Sequence, residues 1–147
     1  MLLEGDRTTN DEWETPQELF NGLNLEFDFT LDPCCTEETA KCERFYTIKE
    51  NGLEQSWNNE RVFMNPPYSE TTKWVKKAYL ESLNNTLVVG LLPSWTDRKW
   101  FHEWVYHKAE IRFIHGRTKY TLNNIPTKWY PMFGSMITIW RKNNEGM

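Results

Sequence analysis

Three apolar runs in this chain each break at a proline, and that repeated punctuation restricts the fold more than any other feature. Leu25-Glu26-Phe27-Asp28-Phe29-Thr30-Leu31 alternates apolar and polar residues, as a half-buried strand does, and leads into Asp32-Pro33. Arg61-Val62-Phe63-Met64 ends at Asn65-Pro66-Pro67. A double proline offers no N–H to a ladder, so the strand stops there. Leu87-Val88-Val89-Gly90-Leu91-Leu92 is apolar throughout, as expected of a central strand covered on both faces, and it stops at Pro93.

Helical stripes follow the second and third runs. Val75, Ala78, Tyr79 and Leu83 share a face over residues 72–83. Ser94-Trp95-Thr96-Asp97 has the spacing of a helix start before Trp100, Phe101, Trp104 and Val105. Two more strands are expected at residues 110–115 and 135–140. Alternating strands and helices predict an α/β domain with a mainly parallel sheet. With no linker and no internal repeat, residues 1–147 read as one domain, the first ten of them polar and expected to fray. Ligands in such sheets bind beyond the carboxyl ends of the strands. Three loops fall there: Asp32-Pro33-Cys34-Cys35, Asn65-Pro66-Pro67-Tyr68, and Pro93-Ser94-Trp95-Thr96-Asp97.

Asn-Pro-Pro-Tyr at a strand end suits one kind of chemistry. The exocyclic amino group of a nucleobase is a poor nucleophile, because its lone pair is delocalised into the ring. Two acceptors that hold its N–H protons aim that lone pair. The Asn65 side-chain oxygen can be one. The Pro66 carbonyl, pre-aimed by the restricted backbone, can be the other. Tyr68 offers a ring face on which a flipped base can stack. A rigid turn with a packed tyrosine is the structural alternative.

Charge is divided along the chain. Residues 1–60 carry 4 Lys+Arg and 15 Asp+Glu, net −11, whereas residues 61–147 carry 13 and 6, net +7. Phosphate binding needs a local positive field rather than a basic total, so the split points to nucleic acid despite an overall −4. Arg98, Lys99, Arg117, Lys119 and Lys128 are the candidate phosphate contacts. No run of 18 apolar residues predicts a membrane span, and the N-terminus lacks the pattern of a signal peptide, so a cytoplasmic location is expected. Cys34, Cys35 and Cys42 read as free thiols, and no metal site is expected.

The ordered landmarks Asp11-Glu12-Trp13-Glu14-Thr15-Pro16, Leu31-Asp32-Pro33, Phe45-Tyr46-Thr47, Asn51-Gly52-Leu53 with Trp57, Asn65-Pro66-Pro67-Tyr68, Leu91-Leu92-Pro93 with Thr96-Asp97 and Trp100-Phe101-His102, and Gly116-Arg117 span nearly the whole chain. Together they resemble the small phage-type DNA N6-adenine methyltransferases, the Dam family. The resemblance implies a compact Rossmann-like fold, S-adenosylmethionine as methyl donor and DNA as substrate. It places Thr15 and Pro16 against the cofactor and Asp32 and Pro33 in the first cofactor loop. It adds Glu50, Asn51 and Leu53 from a second loop. Two departures stand out. Cys34-Cys35-Thr36-Glu37 occupies a stretch that is often glycine-rich, and Glu50 stands where the pattern often has Asp. Methylation of cytosine N4 or of a protein glutamine, and a nonenzymatic nucleic-acid-binding relic, are the competing readings. A cytosine-C5 mechanism at the Pro-Cys pair leaves Asn-Pro-Pro-Tyr without a role.

Overall fold

The computed structural model describes residues 11–127 and 130–142. The polar first ten residues and Lys128 lie outside them. The chain runs through helix α1 (Gln17–Phe27), strands β1 (Leu31–Asp32), β2 (Arg44–Phe45) and β3 (Arg61–Met64), and helix α2 (Thr71–Ser82). Strands β4 (Leu87–Pro93), β5 (Glu110–Phe113), β6 (Thr121–Leu122), β7 (Ile125–Pro126) and β8 (Ser135–Trp140) follow. Six strands form one sheet in the order β2-β1-β3-β4-β8-β5, while β6 and β7 pair separately as a hairpin. β2, β1, β3 and β4 are parallel to one another. β8 runs antiparallel to both β4 and β5, opening opposite Pro93 at Ser135.

The strand interiors explain why the sheet is central. Val62, Met64, Val88, Leu92, Met136 and Trp140 point to one face, where they meet Trp74, Val75 and Ala78 of α2 and Phe101 and Val105. Phe63, Val89, Leu91, Ile137 and Ile139 point to the other, where they meet Phe20, Leu23 and Phe27 of α1. The period-2 alternation of side chains thus feeds two cores, one on each side.

Two expected elements differ. Residues 25–27 belong to α1 and not to a strand, and the strand shrinks to Leu31–Asp32. Phe20, Leu23 and Phe27 form a helical stripe that outweighs the local alternation. Asp28 then closes the helix in the left-handed region, its N–H bonding the Asn24 carbonyl. The helix expected to begin at Ser94 starts later and holds a π-helical turn, Phe101–Val105. Ser94 is drawn off by its backbone N–H, which donates to the Gly134 carbonyl and extends the β4–β8 pairing by one residue.

β1 marks the point where the chain reverses. β2 lies to one side of it, and the chain then crosses back to place β3 on the other. The carboxyl ends of β1 and β3 therefore flank a topological switch point, the usual position of a ligand crevice.

Candidate active site

Asn65 leaves the end of β3 at this switch point. Its Nδ2 donates to the Trp13 carbonyl at 2.9 Å. A carbonyl can only accept, so the amide orientation is chemically forced and Oδ1 is left to receive a proton from elsewhere. Among the described residues nothing donates to the Pro66 carbonyl, whereas the Pro67 carbonyl is taken by Glu70 N–H at 3.0 Å. Among the described residues, the two acceptors anticipated at Asn65 and Pro66 thus receive no donor. The loop is pinned from outside, because the Asp11 carboxylate accepts from the backbone N–H and the hydroxyl of Ser69.

The other cofactor candidates converge on the same end of the sheet. Asp32 is buried, and its carboxylate accepts from the N–H groups of Cys34 at 3.3 Å and Lys41 at 3.0 Å. Burial outweighs these donors and raises its pKa to about 6. Its side chain thus shapes its own loop. Lys41 Nζ reaches Gln17 Oε1 at the start of α1, which draws Thr15 and Pro16 toward that loop. Gly52 ties in the second loop: a Cβ there would stand 2.1 Å from the Pro33 carbonyl oxygen. Asn51, in the left-handed region, accepts from Leu53 N–H and opens the turn Gly52–Glu54. Glu50 is exposed and holds Thr47 through its N–H and hydroxyl. Glu50, Thr47, Ile48, Phe45, Cys35 and Thr36 line part of an open cleft of about 590 Å³. The Cys35-Thr36 stretch that departs from a glycine-rich pattern is thus a wall of this cleft.

The three cysteines are free thiols around Asp32. Burial pushes Cys34 well above the ordinary thiol range and Cys42 up to about 12. A protonated Cys34, with the Asn65 backbone N–H against its sulfur, is no thiolate nucleophile. That weighs against the cytosine-C5 route.

Tyr68 is packed rather than open to solvent. It is only 6% exposed and packs edge-on against Phe133 (5.3 Å between centroids), Trp95 and Tyr120 (6.2 Å each). A base reaching its face must enter this aromatic cluster, so Phe133 or Trp95 has to give. The Tyr68 hydroxyl is buried against the Tyr120 hydroxyl, which also pairs with Ser135 at 2.9 Å. Tyr68→Phe keeps the ring and gives up one buried polar contact, so it is expected to lower the unfolding free energy by about 1 kcal/mol, measured by chemical denaturation. A gain in stability in this variant would mean that the hydroxyl is unpaired.

The candidate phosphate contacts divide. Arg98 stacks over Trp95, 4.4 Å from the ring centroid, and Trp95 in turn packs on Tyr68. Arg117 donates to the Pro131 carbonyl, and Lys119 lies over Tyr130, so both brace the loop that carries Phe133. Lys99 pairs with Glu103 on the exposed side of its helix.

With this geometry in place, comparison with known proteins is decisive. The family profile described as DNA N-6-adenine-methyltransferase (Dam) matches residues 4–147. The chain belongs to the Dam family. It is 37% identical over 106 residues to the DNA N-6-adenine-methyltransferase of Escherichia phage T1, covering 71% of this chain and 44% of that protein. It is 35% identical over 111 residues to the protein of the same name from Haemophilus phage HP1 (strain HP1c1), covering 74% of this chain and 64% of that one. The match thus spans roughly half of these relatives' length.

For a Dam family chain, the sequence reading left Trp13 and Glu14 without roles, although both lie in its first landmark. Trp13 fixes the Asn65 amide through its carbonyl, a contact across 52 positions that no local spacing signals. Phe133 and Trp95 were also missed as walls around Tyr68. Their only sequence signal is that each sits beside a strand end.

Proposed function

We propose that this chain transfers a methyl group from S-adenosylmethionine to the N6 amino group of adenine in DNA. The observation that carries the reading is the Asn65 amide, whose nitrogen is engaged by the Trp13 carbonyl so that its oxygen is the end left to accept. With the Pro66 carbonyl it supplies two fixed acceptors at the end of β3, and they cost no reorganisation when the base arrives. Held by both N–H protons, the amino nitrogen aims its lone pair outward. Methylation leaves that nitrogen cationic, and it releases a proton to water afterwards, so no general base is needed. Tyr68 supplies the ring for the flipped base once the aromatic cluster opens.

S-adenosylmethionine supplies an electrophilic methyl group when bound. The cleft volume lies in the range of small-molecule sites. Glu50 offers a carboxylate acceptor for ribose hydroxyls, and Ile48, 95% exposed, offers an apolar surface for a purine. Of the cofactor candidates only Glu50 lines this cleft; Asp32, Pro33, Asn51 and Leu53 belong to the loops joined at Gly52 and Pro33, and Thr15 and Pro16 to the segment before α1. Together with the reversal at β1, the two-sided packing supports a reduced Rossmann-like sheet acting as one domain. No described helix is long and apolar enough to cross a membrane. The bacterial cytoplasm, where the substrate DNA lies, is the proposed location. The direct test is incubation with labelled S-adenosylmethionine and unmethylated DNA, followed by nucleoside analysis. Label in N4-methylcytosine, or none at all, overturns the assignment.

DNA should bind the positive half through phosphates, with log affinity falling linearly in log salt. Replacing Arg117 and Lys119 together by Ala should reduce that slope by up to about two. A salt titration of binding checks this, and an unchanged slope moves the DNA surface elsewhere.

A further inference from the structure

The β6–β7 hairpin has no part in the chemistry above, yet it is fastened to the residue next to the one that holds Asn65. Glu14 and Thr121 exchange backbone hydrogen bonds at 2.8 and 3.1 Å. The Glu14 carboxylate then accepts from the Thr121 hydroxyl, from Asn123 N–H at 2.7 Å and from Asn124 N–H at 3.0 Å. Trp13, the preceding residue, holds the Asn65 amide. One to two residues of extended chain, roughly 7 Å, therefore separate the contact to the catalytic loop from the contact to the hairpin turn.

We propose that the side-chain amides of Asn123 and Asn124, displayed at the tip of this hairpin, read base edges beside the target adenine and restrict which adenines are methylated. The inference rests on the DNA adenine reaction proposed above. Both residues are exposed, and among the described residues nothing bonds either side-chain amide. Their backbone N–H groups are already taken by Glu14, so the side chains stand on a fixed base and are free to contact a partner. Each carboxamide sets a donor beside an acceptor, the pattern that pairs with N7 and N6 of adenine in the major groove. A two-stranded ribbon is also of a size that the groove admits.

Asn123 and Asn124 have φ of 51° and 63°, both left-handed, between the paired residues Leu122 and Ile125. Asparagine tolerates this conformation better than other non-glycine residues, so the turn admits both and keeps both side chains exposed.

Asn123→Gly with Asn124→Gly tests the idea, because glycine adopts both turn conformations and removes only the amides. The full chain, wild type and double variant, is given S-adenosylmethionine and a duplex library with adenine in varied flanking sequence. N6-methyladenine is then read by context. The expected result is a thermal midpoint unchanged or raised, and discrimination between the best context and its single-base-pair variants reduced roughly ten- to hundredfold. The rate falls on the preferred context and holds on the others. A context preference that survives in the double variant overturns this inference alone, as does a wild type that methylates every context equally. A wild type that methylates no adenine in any context overturns the proposed reaction and this inference with it.

Discussion

Asn65→Ala is expected to slow methyl transfer by two to three orders of magnitude while leaving cofactor affinity almost unchanged. Removing one preorganised polar partner of a reacting centre typically costs about a hundred- to a thousandfold. The interaction is made mainly in the transition state, where the amino nitrogen pyramidalises, so the loss falls on the rate rather than on binding. The structure sharpens the expectation, because the amide is not a freely rotating acceptor. Its Nδ2 is held at 2.9 Å from the Trp13 carbonyl, which fixes where the oxygen stands. Single-turnover formation of N6-methyladenine and the cofactor dissociation constant, measured on the same preparation, separate the two effects. Methylation at the normal rate by the Ala variant would sink the mechanism.

Gly52→Ala is expected to damage the fold and the cofactor site together. The added methyl meets the Pro33 carbonyl oxygen at 2.1 Å and its carbon at 3.0 Å, and both are backbone atoms that cannot rotate away. Gly52 is itself held, because its carbonyl accepts from Trp57 Nε1 at 2.9 Å. Overpacking against fixed atoms costs about 3 kcal/mol, which lowers the melting midpoint by roughly 10 °C in a domain of this size. Cofactor affinity falls as well, since the displaced backbone carries Asn51 and Glu50 on one side and Asp32-Pro33 on the other. Gly22→Ala provides the opposite sign. Nothing lies within 4 Å of that Cβ in the middle of α1, so helix propensity should stabilise the chain by about 0.5–1 kcal/mol. Thermal melts of both variants, with cofactor titration of the first, test the pair. A Gly52→Ala protein that melts and binds as wild type would mean that Pro33 and Gly52 are not in contact.

The parts legible in the sequence are those whose evidence is local. β3, β4 and β8 are apolar on both faces, and α2 carries a clean stripe, so each could be placed from its own residues. Asn65-Pro66-Pro67-Tyr68 was legible for the same reason, being a contiguous loop at a strand end. α1 was misread because residues 25–31 satisfy an alternating pattern as well as the end of a helical one. Phe20 and Leu23 decide the matter only when counted together with Phe27. Two-residue strands such as β2 and β6 are shorter than any detectable period. The contacts of Glu14 reach 107 to 110 positions along the chain. The Asp32 carboxylate caps its own loop through the N–H groups of Cys34 and Lys41, and the second lies nine positions away, where no local spacing signals it.

The antiparallel course of β8 has a consequence for how such a protein can change. β5 ends at Phe113 and β8 begins at Ser135, and their pairing opposite Met136 sets both points at the same edge of the sheet, the one that carries Asn65. The described residues between these points leave and return at that end of the six-stranded sheet. The closure entropy of such an excursion rises only slowly with its length, by about 0.6 kcal/mol per doubling. A change of length there is cheap for the sheet, yet Tyr120 and Phe133 pack on Tyr68, so it is felt at the Asn-Pro-Pro-Tyr loop. Variation in the hairpin thus stays mechanically coupled to Asn65 through Glu14 and Trp13.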